Sequence, residues 1–119
     1  MENEEYFGKQ GYELIGVAFE VYNELGHGLL EEIYQESMEW ELSERDIPRS
    51  AKKELSTYYK GHRLKKRYVP DLIAFDEIIT ELKSVKVLLP EHEAQLLNYM
   101  RLTRKAVGYL INFGQPSKL

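Results

Sequence analysis

The sequence predicts a single α/β domain with two helices at the front, a strand-rich middle, one further helix and a closing strand. Three observations carry this. Apolar residues recur every three or four positions from Lys9 into the forties, and again after Pro90. From Ser50 to Val87 the pattern changes to tyrosine- and β-branch-rich runs punctuated by glycine and proline. A chain of 119 residues with nine tyrosines, four phenylalanines and one tryptophan has the size and apolar content of one core-forming domain, with no repeat or linker to divide it.

From Lys9 to Leu25, the residues Leu14, Val17, Ala18, Val21, Tyr22 and Leu25 fall on one helical stripe, and Gly26 stops it. A second helix is expected to open near Gly28, in GHGLLEEIYQESMEWELSERDI, with Leu30, Ile33, Tyr34, Met38 and Leu42 inward and Pro48 beyond its end. KELSTYYKGHRLKKRYVPDLIAF then reads as two strands around a turn at Lys60-Gly61-His62. A third strand is expected over about Ile78 to Val87. Pro90 suits a first helical position and Glu91 and Glu93 an acidic first turn, with Leu96, Leu97 and Met100 as the inner stripe. AVGYLINF closes the series as an apolar strand, expected to be buried on both faces. The order is α-α-β-β-β-α-β.

Composition removes several kinds of chemistry. There is no cysteine, so disulfide frameworks, thiolate zinc sites and cysteine nucleophiles are excluded, and a reducing compartment is suited. The three histidines lack zinc-ligand spacing, and no phosphate-cradling glycine loop occurs. No apolar run approaches the roughly 18 residues that span a bilayer. MENEEYFGKQ is acidic where a secretory signal begins basic. The expectation is a cytoplasmic protein with no membrane partner. Its formal net charge of −4 hides an asymmetry: residues 1–46 hold 13 acidic and 2 basic side chains, residues 49–67 hold 8 basic and 1 acidic. Such a basic patch attracts phosphates despite the global sign, although a solvated hairpin has the same composition.

YVPDLIAFDEIITELKS, residues 68–84, carries Asp71, Glu81 and Lys83 inside its apolar strands rather than at their ends. Side chains alternate along a strand, so Glu81 and Lys83 share a face with Ile79, and Asp71 shares one with Val69 and Ile73. An unpaired charge on a covered face is costly and is normally neutralised, paired or bound to a metal. Whether the carboxylates meet depends on the register. With Asp71 opposite Glu81, Ala74 pairs with Ile78 around a Phe75-Asp76-Glu77 loop, and the carboxylates come within ~5 Å, repelling unless a cation lies between them. With a two-residue Asp76-Glu77 turn, Asp71 stands opposite Leu82 and the carboxylates go to different faces. Both registers fit the sequence. In the first, two oxygen donors and a lysine suit a hard ion such as Mg²⁺ or Mn²⁺ and phosphodiester hydrolysis, with Lys83 orienting water or neutralising charge. The plainer alternative is a Glu81–Lys83 pair on a wet sheet face, with Asp71 starting a turn after Pro70.

Pro70-Asp71, nine residues, then Glu81-Leu82-Lys83 resembles the signature of the PD-(D/E)xK nuclease superfamily. The αβββαβ order from Gly28 onward resembles its restriction-endonuclease-like core, here with an additional N-terminal helix and a mixed central sheet flanked by helices. GLLEEIY sets Gly28, Glu31 and Tyr34 as G-x-x-E-x-x-Y. Together with the basic hairpin, HEAQLLNYM and GYLINF, it resembles the GxxExxY protein family, a small-domain branch of that superfamily, over roughly residues 10–114. The resemblance implies that Asp71 and Glu81 are metal-binding carboxylates, that Lys83 is the catalytic lysine, and that Glu31 adds a metal or water contact. Gln95 and Tyr99, four apart on one helical face, resemble the Q-x-x-x-Y element with which RecB-like nucleases hold substrate. The hairpin's Lys65, Lys66 and Arg67 are expected to track the phosphate backbone.

The expected function is therefore a Mg²⁺- or Mn²⁺-dependent nuclease over residues 1–119, acting on DNA rather than RNA. So small a domain is expected to need a homodimer or a partner protein to complete its substrate surface. The competing expectation is a non-catalytic nucleic-acid- or protein-binding module that keeps the fold, with the acidic helix Glu13 to Glu24 as its interface. Plainer readings also exist for single residues. Glu31 and Glu32 suit a solvated helix face, Tyr34 suits core packing, Gln95 and Tyr99 suit ordinary helix surface, and His27 suits a loop.

Overall fold

A computed structural model describes residues 2–117 and 119, and the side chains of residues 8–117 and 119. The first helix, α1 (Glu2–Leu25), buries Leu14, Val17, Ala18 and Val21, the i, i+3, i+4, i+7 set that a 3.6-residue period puts on one face. It ends where the N–H of Gly26 donates to the Tyr22 carbonyl at 2.8 Å. The second helix, α2 (Glu31–Glu44), starts later than the sequence suggests, with Leu30 as an extended N-cap. Tyr34, Met38 and Leu42 are fully buried, whereas Leu30 and Ile33 are 69% and 42% exposed. The inward stripe is thus one i, i+4, i+8 row, and Leu30 and Ile33 do not belong to it.

Six strands follow: β1 (Arg49–Ala51), β2 (Leu55–Tyr59), β3 (His62–Tyr68), β4 (Leu72–Ala74), β5 (Ile78–Lys83) and, after helix α3 (Pro90–Thr103), β6 (Val107–Asn112). The arm expected to run unbroken from Arg63 into Phe75 is split at Val69-Pro70-Asp71, since Pro70 has no N–H for a ladder. The hairpin turn is only Lys60-Gly61, both left-handed with φ of 48° and 81°, and His62 already pairs with Tyr59. β2 and β3 form their own two-stranded ribbon. The main sheet has the order β1-β4-β5-β6, with β4 antiparallel to both neighbours and β6 parallel to β5. It is the mixed α/β sheet the sequence predicts, consistent with a restriction-endonuclease-like fold.

The sheet separates two apolar layers. Leu72, Ala74, Ile78 and Leu82 join α1 and α2 in the main core, and Ile79 joins Tyr68 and Leu96 beneath α3 on the other face. Leu96 is buried and Met100 half-buried, but Leu97 is 58% exposed and lies off the inner stripe. β5 stops at Lys83 rather than Val87, because the Asn112 side chain brackets Val85, accepting from its N–H at 3.0 Å and donating to its carbonyl at 2.9 Å. β6 is an edge strand and only half-buried over Val107–Leu110, so burial on both faces is not realised. No helix among the described residues is long and apolar enough to cross a membrane.

Candidate active site

The register of β4 on β5 decides what the charged residues can do. Ala74 pairs with Ile78, Ile73 with Ile79 and Leu72 with Thr80 around the Phe75-Asp76-Glu77 loop. Asp71 is therefore brought opposite Glu81, just beyond the last ladder pair. Its N–H donates to Glu81 Oε1 at 3.0 Å, and its own Oδ2 accepts from the N–H of Leu82 at 2.7 Å. The two carboxylates thus interlock at the end of the hairpin.

They open onto different sides. Glu81 and Lys83, two apart on β5, line a cleft of about 370 Å³ with Lys66, Arg67 and Tyr68 of β3 and with Gln95 and Tyr99 of α3. Asp71 lines a second cleft of about 500 Å³ with Glu31 and Gln35 of α2 and with Lys52. The simple alternation rule, which puts Asp71 on the face of Ile73, fails because Asp71 lies past the end of β4 and its side chain turns across the strand edge.

Each carboxylate has its own electrostatic setting. Burial, and then the charge of Asp71, push the Glu81 carboxyl above the usual glutamate range; hydrogen bonds from the Tyr68 hydroxyl and the Asp71 N–H and the charge of Lys83 oppose this. The Tyr68 hydroxyl donates to Glu81 Oε1 at 2.8 Å, and its ring stacks on Tyr99 with centroids 3.9 Å apart. Burial, followed by the charge of Glu81, pushes the Tyr68 hydroxyl far up, so it remains a donor. Asp71 Oδ1 holds the Lys52 ammonium at 2.5 Å. Lys52 is held in turn: it is left-handed, at φ 52°, and its N–H donates to the Asp71 carbonyl at 3.2 Å. Gln35 Nε2 donates to the same carbonyl at 2.8 Å.

Most of the sequence-predicted residues therefore converge on the end of this hairpin. Glu31 reaches it from the α2 side, with Oε2 accepting the Ser84 N–H at 3.2 Å. Lys65 is the exception, since it does not line the cleft that Lys66 and Arg67 share. His92 also lines that cleft, but its Nδ1 accepts the Leu89 N–H at 3.1 Å and so caps α3. Sequence reasoning missed Lys52, Gln35 and Tyr68. Tyr68 stands three residues before Asp71 in YVPD, and its proximity was a usable signal; Lys52, 19 residues away, gave none.

The donor types suit a hard divalent cation in chemistry, although Asp71 and Glu81 line different clefts. Two carboxylates whose charges oppose each other are adjacent, the Glu81 oxygen Oε2 has no hydrogen-bond partner among the described contacts, and an ammonium stands in as the cation on Asp71. Among the described residues, no three His, Asp or Glu side chains converge into a ready-made metal cage. The pairing of Lys52 with Asp71 and of Glu31 with Ser84 leaves those two carboxylates engaged elsewhere.

A family model described as the PD-(D/E)XK nuclease superfamily matches residues 9–119. No curated protein and no solved structure matches the chain significantly. The match spans both helical layers, the whole sheet and every residue of the interlocked carboxylate–lysine cluster, and on it the chain belongs to the PD-(D/E)XK nuclease superfamily.

Proposed function

We propose that this chain is a Mg²⁺- or Mn²⁺-dependent nuclease that hydrolyses phosphodiester bonds of DNA rather than RNA, and that it belongs to the GxxExxY branch of the superfamily. One observation carries the reading. The hairpin register sets Asp71 against Glu81, with Lys83 on the Glu81 side of the same cleft as Lys66, Arg67, Gln95 and Tyr99. Asp71 and Glu81 would hold the cation, with Glu31 as a further contact from α2. When bound, such a cation supplies Lewis-acid stabilisation and activates water for attack at phosphorus.

The chain's own residues do the rest. The Tyr68 hydroxyl and the Asp71 N–H both bind Glu81 Oε1, which fixes the carboxylate of a residue that lines the cleft. Tyr99 stacks on Tyr68 and holds that ring in place. Lys83 supplies positive charge beside Glu81, where the transition state of phosphoryl hydrolysis gains negative charge. Lys66, Arg67 and Gln95 form a wall that phosphates can contact without base readout, which makes binding sensitive to salt. The test incubates the protein with supercoiled plasmid, linear duplex and single-stranded DNA in Mg²⁺ or Mn²⁺, beside Asp71→Ala and Lys83→Ala. Cleavage by the wild type, reduced by about two orders of magnitude or more in the variants, supports the reading. No cleavage of any substrate, with no calorimetric Mn²⁺ binding, overturns it.

A second reading, a non-catalytic nucleic-acid- or protein-binding module, is favoured by one observation, the Lys52 ammonium on Asp71 Oδ1. If that pair is permanent, the carboxylate is neutralised as a structural ion pair. Retained Mn²⁺ binding with no cleavage, or loss of fold in Lys52→Ala, would favour this module.

A further inference from the structure

Beyond the carboxylate cluster, α3 carries a second cleft toward its C-terminal end. It is a cavity of about 550 Å³ between the tip of the β2–β3 ribbon and the helix, lined by Tyr58, Lys60, Asn98, Arg101 and Arg104 among others. Among the described residues, no acidic side chain lines it. The Arg104 guanidinium lies over the Tyr58 ring, 5.5 Å from its centroid, and Tyr58 is still 39% exposed. Arg101 donates to the Asn98 side chain, which turns it along the helix. Arg104 is the left-handed C-cap of α3, at φ 60°.

Cations at a helix C-terminus are stabilising in themselves, and this accounts in part for Arg101 and Arg104. It does not account for Lys60 and Tyr58, which come from another element and face the same cavity. Two arginines beside one accessible aromatic ring, with Lys60 also lining the cavity while its ammonium lies 5.4 Å from the Tyr59 ring centroid, suit a ligand that is anionic at one end and flat at the other. A nucleotide unit has that form, with phosphate for the arginines and base for the ring. A paired base reaches the Tyr58 face only at the cost of unpairing and unstacking, so the chemistry favours unpaired strands.

The cleft also lies along a route from the catalytic one. Gln95 and Tyr99 line the first cleft, and Asn98, Arg101 and Arg104 line the second, all on α3. At ~1.5 Å per residue, Gln95 to Arg101–Arg104 spans roughly 9–14 Å. At ~3.4 Å per nucleotide of a stacked strand, that is about three to four nucleotides.

We propose that the Tyr58–Arg101–Arg104 cleft is a subsite for single-stranded nucleic acid, which stacks one base on Tyr58 and binds an adjoining phosphate between Arg101 and Arg104. The proposal rests on the nuclease reading only for the statement that this strand continues into the Glu81 cleft. The test is fluorescence anisotropy of a labelled oligothymidylate of about 12 nucleotides, in EDTA so that binding is read without cleavage. The variants are Tyr58→Ala and the double variant Arg101→Glu/Arg104→Glu. Lys86→Glu, exposed and outside both clefts, is the charge control. Circular dichroism confirms folding.

Tyr58→Ala is expected to weaken binding by roughly 5- to 150-fold. The double variant is expected to weaken it at least about tenfold and to flatten log K against log salt by about 1.4, the slope of two single-strand phosphate contacts. Duplex of the same length is expected to bind more weakly and to be insensitive to Tyr58→Ala. The proposal is overturned if the wild type does not bind the oligomer, if Tyr58→Ala leaves binding unchanged, or if Lys86→Glu costs as much as the double variant. Failure here and failure of the nuclease reading are separable. Wild-type cleavage with unchanged binding in Tyr58→Ala removes the subsite and leaves the nuclease. Binding lost in Tyr58→Ala, by a wild type that cleaves nothing, removes the nuclease and leaves the subsite.

Discussion

Replacing Tyr34 with phenylalanine removes one hydroxyl from the G-x-x-E-x-x-Y segment and keeps the ring. Tyr34 is fully buried and stacks on Phe113 with centroids 4.2 Å apart and planes 6° from parallel. Its hydroxyl donates to the Gly26 carbonyl at 2.6 Å and accepts the Leu29 N–H at 3.2 Å, closing the α1–α2 loop on itself. The same loop is clamped from outside. The Gly28 N–H, at a left-handed φ of 79°, donates to the Phe113 carbonyl at 3.0 Å, and the Ser84 hydroxyl donates to the Leu29 carbonyl. Leu29 is 37% exposed, so its freed N–H can turn to water; the half-buried Gly26 carbonyl is compensated less well. One lost hydrogen bond with a partly unsatisfied acceptor costs about 1–2 kcal/mol. For a chain of this size that is a fall in Tm of roughly 4–10 °C. Thermal and urea denaturation followed by circular dichroism measure it, with an unchanged urea slope as the sign that only the folded state has lost free energy. Hydrogen exchange at the Ser84 amide should quicken as well, since Glu31 leads out of the same loop to bind it. A fall in Tm below about 1 °C, with Ser84 exchange unchanged, would refute the idea that this hydroxyl holds Glu31 at the site.

Three further outcomes test the electrostatics of the cluster. Lys52→Ala frees Asp71 Oδ1 and should tighten calorimetric Mn²⁺ binding by roughly two- to fivefold, the factor matching the ~0.5–1 kcal/mol of a partly exposed ion pair; equal or weaker binding contradicts the stand-in role. Glu81 is held above its ordinary value of 4.5, chiefly by burial, so the folded state binds its proton more tightly than the unfolded state. Stability from this group therefore falls as pH rises from 4.5 through the raised folded pKa and stays low above it. In EDTA, Glu81→Gln should raise Tm at pH 7, with an advantage that vanishes below pH 4.5; a pH-independent difference excludes this origin. Tyr68→Phe keeps the stack on Tyr99 but removes a hydrogen bond that lowers the Glu81 pKa. A carboxyl NMR titration should then show Glu81 titrating at still higher pH, and an unchanged midpoint would show that the hydroxyl does not tune it.

The helices were legible because one face of each is buried and burial writes a period into the chain: Leu14, Val17, Ala18 and Val21, and then Tyr34, Met38 and Leu42. Their ends were less so. Leu30, Ile33 and Leu97 are apolar and fall near the right phase, yet each lies outside the packed area, since apolar surface on a folded protein is common and hydropathy alone cannot tell a rim from a core. The sequence does not separate β3 from β4, which belong to different sheets, because alternation looks the same on either side of Pro70.

The hairpin register shows most sharply what local sequence can leave undetermined. A three-residue loop needs left-handed residues, and here they are Phe75 and Asp76, at φ of 56° and 65°. Aspartate tolerates that region, but phenylalanine pays a penalty for it, and no glycine advertises the turn. What holds the loop is distant in sequence. The Phe75 N–H donates to the Pro48 carbonyl at 2.7 Å, and Lys105 reaches across to the Asp76 carbonyl at 3.4 Å and to Glu77 at 3.6 Å. Tertiary contacts therefore select a conformation that local preference disfavours, and this conformation sets Asp71 against Glu81 rather than against Leu82. The Asp71–Glu81 interlock and the strained loop are one device: a two-residue Asp76-Glu77 turn would relax Phe75 and break the bond from the Asp71 N–H to Glu81 Oε1. Local strain at Phe75 is thus a condition of bringing Asp71 to Glu81, the kind of departure from local preference that clusters at functional sites.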